Sequence, residues 1–336
     1  MELLQYAEIV RYNAAPISTM GPDPAPIGLA LFPQAPQRLM TPVCWDINVV
    51  MNYQGRRLII LATQDIPNCT GLQDLRYNEL FREPFSMTRT SCNSFFKELY
   101  GSACNCRKCT HEYDAEINPL KCATSGCSNR IPSDRRASQP CQECGVINTD
   151  RLLQFRRFTE HLESIRNSAG SSSNRLQKLE IAFFKKLDAA DILQGDAHLR
   201  FLCGWDVADE YFAENRFDDG WKVVQGLVAC LRNIYPQYHF MRAGRLSRAA
   251  IATASALQQR VLTALNKLSK PAKRQLKALS AEVMDEVTAY GKEAEHIFRT
   301  ICADDSTEIE LGRRVVQRIE DTGRSIEQVF RNNKIC

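Results

Sequence analysis

Seven cysteines fall between Cys104 and Cys144, and that density constrains the chain more than any other feature. Residues 101–148 are rich in turn formers and poor in apolar periodicity. A segment of this kind cannot bury enough hydrophobic surface to offset its ordering entropy, so cross-links must fold it. The redox compartment decides between disulfides and metal. Met1 to Val10 carries acids at Glu2 and Glu8 and lacks a basic region leading into an apolar one, so no secretory signal is read. No apolar run reaches the roughly 20 residues that span a bilayer. These observations predict an intracellular protein of the cytoplasm and/or nucleus with no membrane partner, whose clustered thiols are reduced and bind metal.

The spacing defines one complete ligand set. Cys122-x4-Cys127 and Cys141-x2-Cys144 are separated by 13 residues, and two such pairs can surround one tetrahedral Zn²⁺ at about 2.3 Å. Gly126 and Gly145 lie beside ligands, where tight turns aim backbone amides at sulfur. The first group, Cys104-x-Cys106-x2-Cys109, supplies three thiolates. Seven cysteines are one short of two four-thiolate sites. Local candidates for the eighth ligand are His111 and Cys92, and the distant one is Cys44. Outside the clusters, Cys203, Cys230 and Cys302 are expected to act as small buried hydrophobes.

Other chemistries find little support. The net charge is +4, and the basic pairs Arg56-Arg57, Arg135-Arg136 and Arg156-Arg157 read as solvated surface. Acids at Glu112, Asp114, Glu116, Asp134 and Glu143 interrupt any basic face in the cysteine region, so nucleic acid is not an expected partner. The five histidines are scattered, and no nucleophile–histidine pairing emerges.

Three textures divide the chain. Residues 1–100 begin proline-rich and turn to strand, with Asn48–Tyr53 and Arg56–Ala62 expected to form a hairpin around Gln54-Gly55. Residues 101–148 form the cysteine region. From Arg151 the pattern is helical. Leu152, Phe155, Phe158, Leu162 and Ile165 line one face, Asn167–Asn174 reads as a loop, and helices are predicted near 175–194, 197–215, 218–234, 243–268, 271–303 and 306–331.

The hairpin, then Asp65-Ile66, then Tyr100-x3-Cys104-x-Cys106-x2-Cys109 resembles the SMYD family of SET- and MYND-domain protein-lysine methyltransferases. Ile27–Pro33 and Arg11–Ile17 are similar to segments preceding that family's Asn-His-Ser-Cys motif. Tyr211, Asn215, Phe217, Gly220, Val224 and Leu227, ending in Tyr235-Pro-Gln-Tyr-His239, are similar to one tetratricopeptide-type helix pair (TPR-like). The resemblance implies an α+β chain: a small β-rich SET-domain remnant over 1–100, a post-SET zinc region over 101–148, and an all-α TPR-like domain over 151–336. It also implies an identity for the eighth ligand. The family's post-SET zinc takes its fourth thiolate from the Asn-His-Ser-Cys motif, and the matching position is Cys44. Two zinc sites are thus expected: Cys44, Cys104, Cys106 and Cys109, then Cys122, Cys127, Cys141 and Cys144.

The same resemblance assigns Tyr77 as the catalytic tyrosine, one place later than the family spacing from Asp65, and Tyr100 as a cofactor-side tyrosine. Other family positions differ. Thr41 and Pro42 stand at the Asn-His pair that engages S-adenosylmethionine, and proline offers neither an amide hydrogen nor a polar side chain. Cys69-Thr70-Gly71 replaces a Gly-Glu-Glu turn, and Ser102 stands where an aromatic ring packs the adenine. The family's glycine-rich cofactor loop and MYND finger find no counterpart. The expectation is a catalytically degenerate member that binds a protein or peptide through its helical domain, with S-adenosylmethionine binding in doubt. The alternative is an active S-adenosylmethionine-dependent protein (histone) lysine N-methyltransferase with a divergent pocket.

Overall fold

A computed structural model describes residues 14–18, 26–31, 41–43, 47–54, 57–66, 71–77, 93–94, 96–98, 101–106, 109–110, 117–168, 173–265, 267–302 and 307–333. The N-terminal third is built from short strands. β1 (Ala14–Ser18) pairs antiparallel with β2 (Pro26–Leu31), with an irregularity between Ile17 and Ser18. β4 (Val49–Gln54) and β5 (Arg57–Ala62) form the hairpin anticipated from their β-branched and aromatic content. Gln54 pairs with Arg57, so β4 runs one residue past Tyr53 and β5 begins one residue after Arg56; the expected Gln54-Gly55 turn lies partly outside the described residues.

Between them in order, β3 (Thr41–Pro42) runs parallel to β6 (Arg76–Tyr77), with Pro42 opposite Tyr77. Proline has no N–H to give, and the Val43 amide instead donates to the Tyr77 carbonyl at 2.9 Å. Buried Asn48 ties the three strand ends together. Its Nδ2 donates to the Asp74 carbonyl at 2.9 Å and its Oδ1 accepts from the Arg76 amide at 2.7 Å. Its own amide donates to the Arg76 carbonyl, and its carbonyl accepts from Thr63. Such double use of a buried amide offsets its desolvation. Tyr77 and Val49 form a small core with Ile60, Ile66 and Leu75.

Seven α-helices follow among the described residues: α1 (Thr149–Ser168), α2 (Ser173–Ala190), α3 (His198–Ala213), α4 (Phe217–Ile234), α5 (Phe240–Ala264), α6 (Lys270–Ile301) and α7 (Thr307–Asn332). Each packs on its neighbours in sequence, and α5 also meets α7 and α3. The face predicted for α1 holds, with Leu152, Leu162 and Ile165 buried and Phe155 and Phe158 half-buried. The breaks follow local chemistry. Asn215 takes the left-handed conformation (φ 59°) that asparagine tolerates, turning α3 into α4. Asp218 and Asp219 then sit in the first turn of α4, where the helix dipole favours acids. His239 caps α5, its Nδ1 accepting from the Met241 amide at 3.1 Å.

Ion pairs lie between helices more than along them. Glu293 on α6 accepts from Arg242 of α5 at 2.6 Å and from Arg232 of α4 at 2.7 Å. Arg166 of α1 meets Glu180 of α2 at 2.8 Å. Cys203 and Cys230 are buried in the helical core, as expected of reduced cysteine, while Cys302 is half-buried. No described helix is long and apolar enough to cross a membrane.

The cysteine region is bonded to the helices at one corner. β7 (Leu120–Lys121) pairs with β8 (Arg130–Ile131). Leu120 is fully buried and bridges Leu193 in the α2–α3 connection. On either side of it, the Lys121 amide donates to the Ile192 carbonyl at 2.9 Å and the Gln194 amide to the Pro119 carbonyl at 3.0 Å. Asn118 Oδ1 accepts from the Leu199 amide at the start of α3, and Arg130 pairs with Asp196 at 2.8 Å.

Candidate metal centres

Cys122, Cys127, Cys141 and Cys144 bring all four sulfurs within 4.8 Å of one another. Tetrahedral thiolates at about 2.3 Å from zinc would stand about 3.8 Å apart along each edge. Two of the sulfur pairs are close to that separation, Cys122–Cys144 at 3.4 Å and Cys127–Cys141 at 3.7 Å. The donor set is closed, soft and compact enough to hold a metal ion.

Two turns place these sulfurs. At Cys127 the amide donates to the Thr124 carbonyl, with Gly126 at φ 81° just before it. At the second pair the Gly145 amide donates to the Cys141 carbonyl at 2.8 Å, and Gly145 sits at φ 74°. A side chain on either glycine would strain that left-handed backbone. The turn closes with the Cys141 amide donating to the Val146 carbonyl at 2.9 Å.

The electrostatics fit anionic ligands. The Asn129 side-chain amide, donating to Cys141 Sγ at 3.2 Å, together with the Cys144 and Glu143 amides, draws the Cys141 thiol down to about 6. Burial pushes the Cys122 thiol up, but the Thr124 amide and the neighbouring Cys144 outweigh it, and the net direction is down. At Cys127 the Asn129 backbone amide favours the thiolate. Burial and the Glu143 carboxylate, 3.3 Å away, reverse that and hold the thiol well above its ordinary value. A divalent cation would remove this conflict by taking the proton's place on every sulfur.

Asn148 joins the site's two halves. It is almost wholly buried. Its Oδ1 accepts from the Ala123 amide at 2.7 Å and its Nδ2 donates to the Val146 carbonyl at 3.0 Å. Its backbone amide donates to the Ala137 carbonyl, and its carbonyl accepts the first helical bond of α1, from Leu152. Sequence reasoning passed over Asn148 and Asn129. The available signals were a helix-starting Asn-Thr-Asp at 148–150 and an amide two places after a ligand, in Cys127-Ser-Asn129.

The first cluster is also assembled. Cys104, Cys106 and Cys109 are buried, with their sulfurs within 4.8 Å of one another. The Cys106 carbonyl accepts from the Cys109 amide at 2.9 Å and from the Thr110 amide and hydroxyl at 3.0 and 3.1 Å, which folds Cys109 back toward its partners. Three thiols could ligate a metal, and a fourth ligand is not among the described residues. Cys44, His111, Cys92 and Tyr100 lie outside the described residues. Val43 and Ile47, which flank Cys44, are buried in the same continuous core as the three cysteines. Tyr77 is described: its backbone lies opposite Pro42 and its ring belongs to the small apolar core.

No protein-family model matches the chain, and no curated protein matches it.

Proposed function

We propose that the 122–144 quartet holds structural Zn²⁺ and that the chain is a SMYD-like, catalytically degenerate scaffold whose helical array binds a protein or peptide. The convergence of four thiols within 4.8 Å of one another carries the first part. Zinc suits such a set because it prefers four soft ligands and imposes no redox demand, and a site with four protein ligands leaves no open position for catalysis. Cys122, Cys127, Cys141 and Cys144 would hold the ion, Asn129 and the turn amides would stabilise the thiolates, and Asn148 would hold the two turns together.

A second zinc would take Cys104, Cys106 and Cys109, with Cys44 as the fourth ligand. This fourth ligand rests on the family resemblance at Met40–Cys44. The silent reading draws support from Pro42 and Tyr77. A methyltransferase needs a polar contact to its cofactor and a phenol beside the reacting amine, held in place before the reaction. Here a proline faces Tyr77 across the parallel pair, and the tyrosine is buried among Val49, Ile60, Ile66 and Leu75.

Metal analysis of the purified chain tests the first claim, with two zinc ions per chain expected. Cys44→Ser should lower the count by one and leave the 122–144 site filled; retention of both ions would return the fourth ligand to His111. Calorimetric titration with S-adenosylmethionine tests the second, with no saturable heat expected. Saturable binding that depends on Tyr77, together with transfer of labelled methyl to protein lysine, would establish the active alternative.

A further inference from the structure

We propose that the quartet is also a thiol switch, in which an oxidant such as hydrogen peroxide closes two disulfides across the site, Cys122–Cys144 and Cys127–Cys141, and expels the metal. The inference rests on the zinc reading above and adds its regulation.

Two sulfur pairs, at 3.4 and 3.7 Å, each join one ligand loop to the other. Each pair also combines a buried sulfur, Cys122 or Cys141, with a half-buried one, Cys144 or Cys127. An oxidant from solvent meets the half-buried member first. The sulfenic acid it forms lies against the buried partner, so the resolving thiol is already in place. The pairing is nested, with 127–141 inside 122–144, and both bonds can form without the chain passing through itself. A disulfide needs its sulfurs about 2.05 Å apart, so each pair must close by roughly 1.5 Å.

The chemistry balances as follows. A thiolate attacks peroxide, giving a sulfenic acid and hydroxide, and the partner thiolate displaces hydroxide from the sulfenic sulfur to form the disulfide. Each disulfide consumes one peroxide and two protons and yields two waters. The sulfurs supply both electrons, and Zn²⁺ leaves without changing oxidation state. Among the described cysteines outside the clusters, Cys203 and Cys230 are buried in the helical core, away from a solvent-borne oxidant.

The test is a peroxide titration of the zinc-loaded full chain, read by a zinc-sensitive dye and by peptide mass mapping of disulfides. The expected result is release of one zinc per chain in step with the 122–144 and 127–141 disulfides, reversed by dithiothreitol plus zinc. Three results would overturn the proposal: disulfides within the loops (122–127 or 141–144), zinc retained until Cys302 is oxidised, or passage straight to sulfinic acid. The failure of the zinc reading looks different. A chain with no zinc before peroxide refutes that reading, and the disulfide map of the same sample still decides the pairing.

Discussion

Asn148→Ala is the most informative single change at the candidate metal centre. Its side chain makes two hydrogen bonds, to the Ala123 amide on one ligand loop and the Val146 carbonyl on the other. A typical intramolecular hydrogen bond contributes about 1 kcal/mol net, and leaving partners unsatisfied adds to that. Ala123 is exposed and Val146 partly so, which lets water compensate in part. The loss should therefore be about 2–3 kcal/mol rather than the larger value of a fully buried orphan. The loops are also joined by Asn129 donating to Cys141 Sγ, and the share of the loss that appears in metal affinity is a weakening of up to roughly 30- to 150-fold. Chelator competition on the zinc-loaded chain measures this directly, with thermal unfolding of the helices as a parallel readout. Asn148→Asp keeps the acceptor for Ala123 but loses the donor to Val146 and adds negative charge near thiolates, so it should not rescue affinity. An Asn148→Ala chain whose zinc affinity stays within threefold of the parent would refute the clasp. A fall in melting temperature alone would then reassign Asn148 to starting α1.

Other perturbations probe the rest of the molecule. Burial pushes the His239 imidazole down to about 3, below its unfolded value near 6.5. The unfolded chain takes up the proton first as pH falls, so this group's contribution is intact above about pH 6.5 and is lost progressively toward pH 3, about 2 kcal/mol of it by pH 5. His239→Asn retains a capping acceptor but cannot titrate, and should flatten the pH 7-to-5 slope of unfolding free energy by that amount. Gly226→Ala should destabilise the chain by about 1–2 kcal/mol, because the new methyl would meet the Gly195 carbonyl oxygen at 2.5 Å, a backbone atom with little room to yield. Gly244→Ala in α5, where no atom lies within 4 Å, should have the opposite sign, gaining about 0.5–1 kcal/mol of helix propensity. A matched fall in melting temperature for both glycine variants would discredit the close approach of α4 to the α2–α3 connection. Glu293→Gln removes the charge shared by Arg232 and Arg242 and should cost about 1–3 kcal/mol in denaturant titration, since two arginines then face a neutral amide.

Spacing alone pointed to the Cys122, Cys127, Cys141 and Cys144 quartet, because two short cysteine pairs a loop apart match the spacing that gathers four thiols at one point. The helices were legible for a related reason. Periodic burial repeats many times along α1 or α4, so a local window holds the whole signal, and the break at Asn215 is marked by turn chemistry. The loop expected over Asn167–Asn174 is narrower, with Asn167–Ser168 ending α1 and Ser173–Asn174 starting α2. What stayed hidden is pairwise and distant. The parallel contact of Pro42 with Tyr77 joins two-residue strands with no periodicity to detect. The bond from Asn148 to Ala123 spans 25 residues and depends on both loops being folded first. The hairpin's strand ends differ by one residue from the reading, since the alternation around Gln54 and Arg57 is compatible with either limit. The side chains supporting the thiols were missed because asparagine near cysteine is common in sequence and becomes informative only once an amide points at sulfur.

The bonds from Pro119 and Lys121 to Gln194 and Ile192, with Leu120 buried against Leu193 between them, have a practical consequence for anyone dissecting this molecule. A fragment beginning at Arg151 would carry seven helices but would lose the residue that seals the α2–α3 corner and the carbonyl that starts α1. A chelator acting on the quartet would work by the same route as that deletion, and metal withdrawal should be felt as softening of α1, α2 and α3 well before α6 or α7 responds.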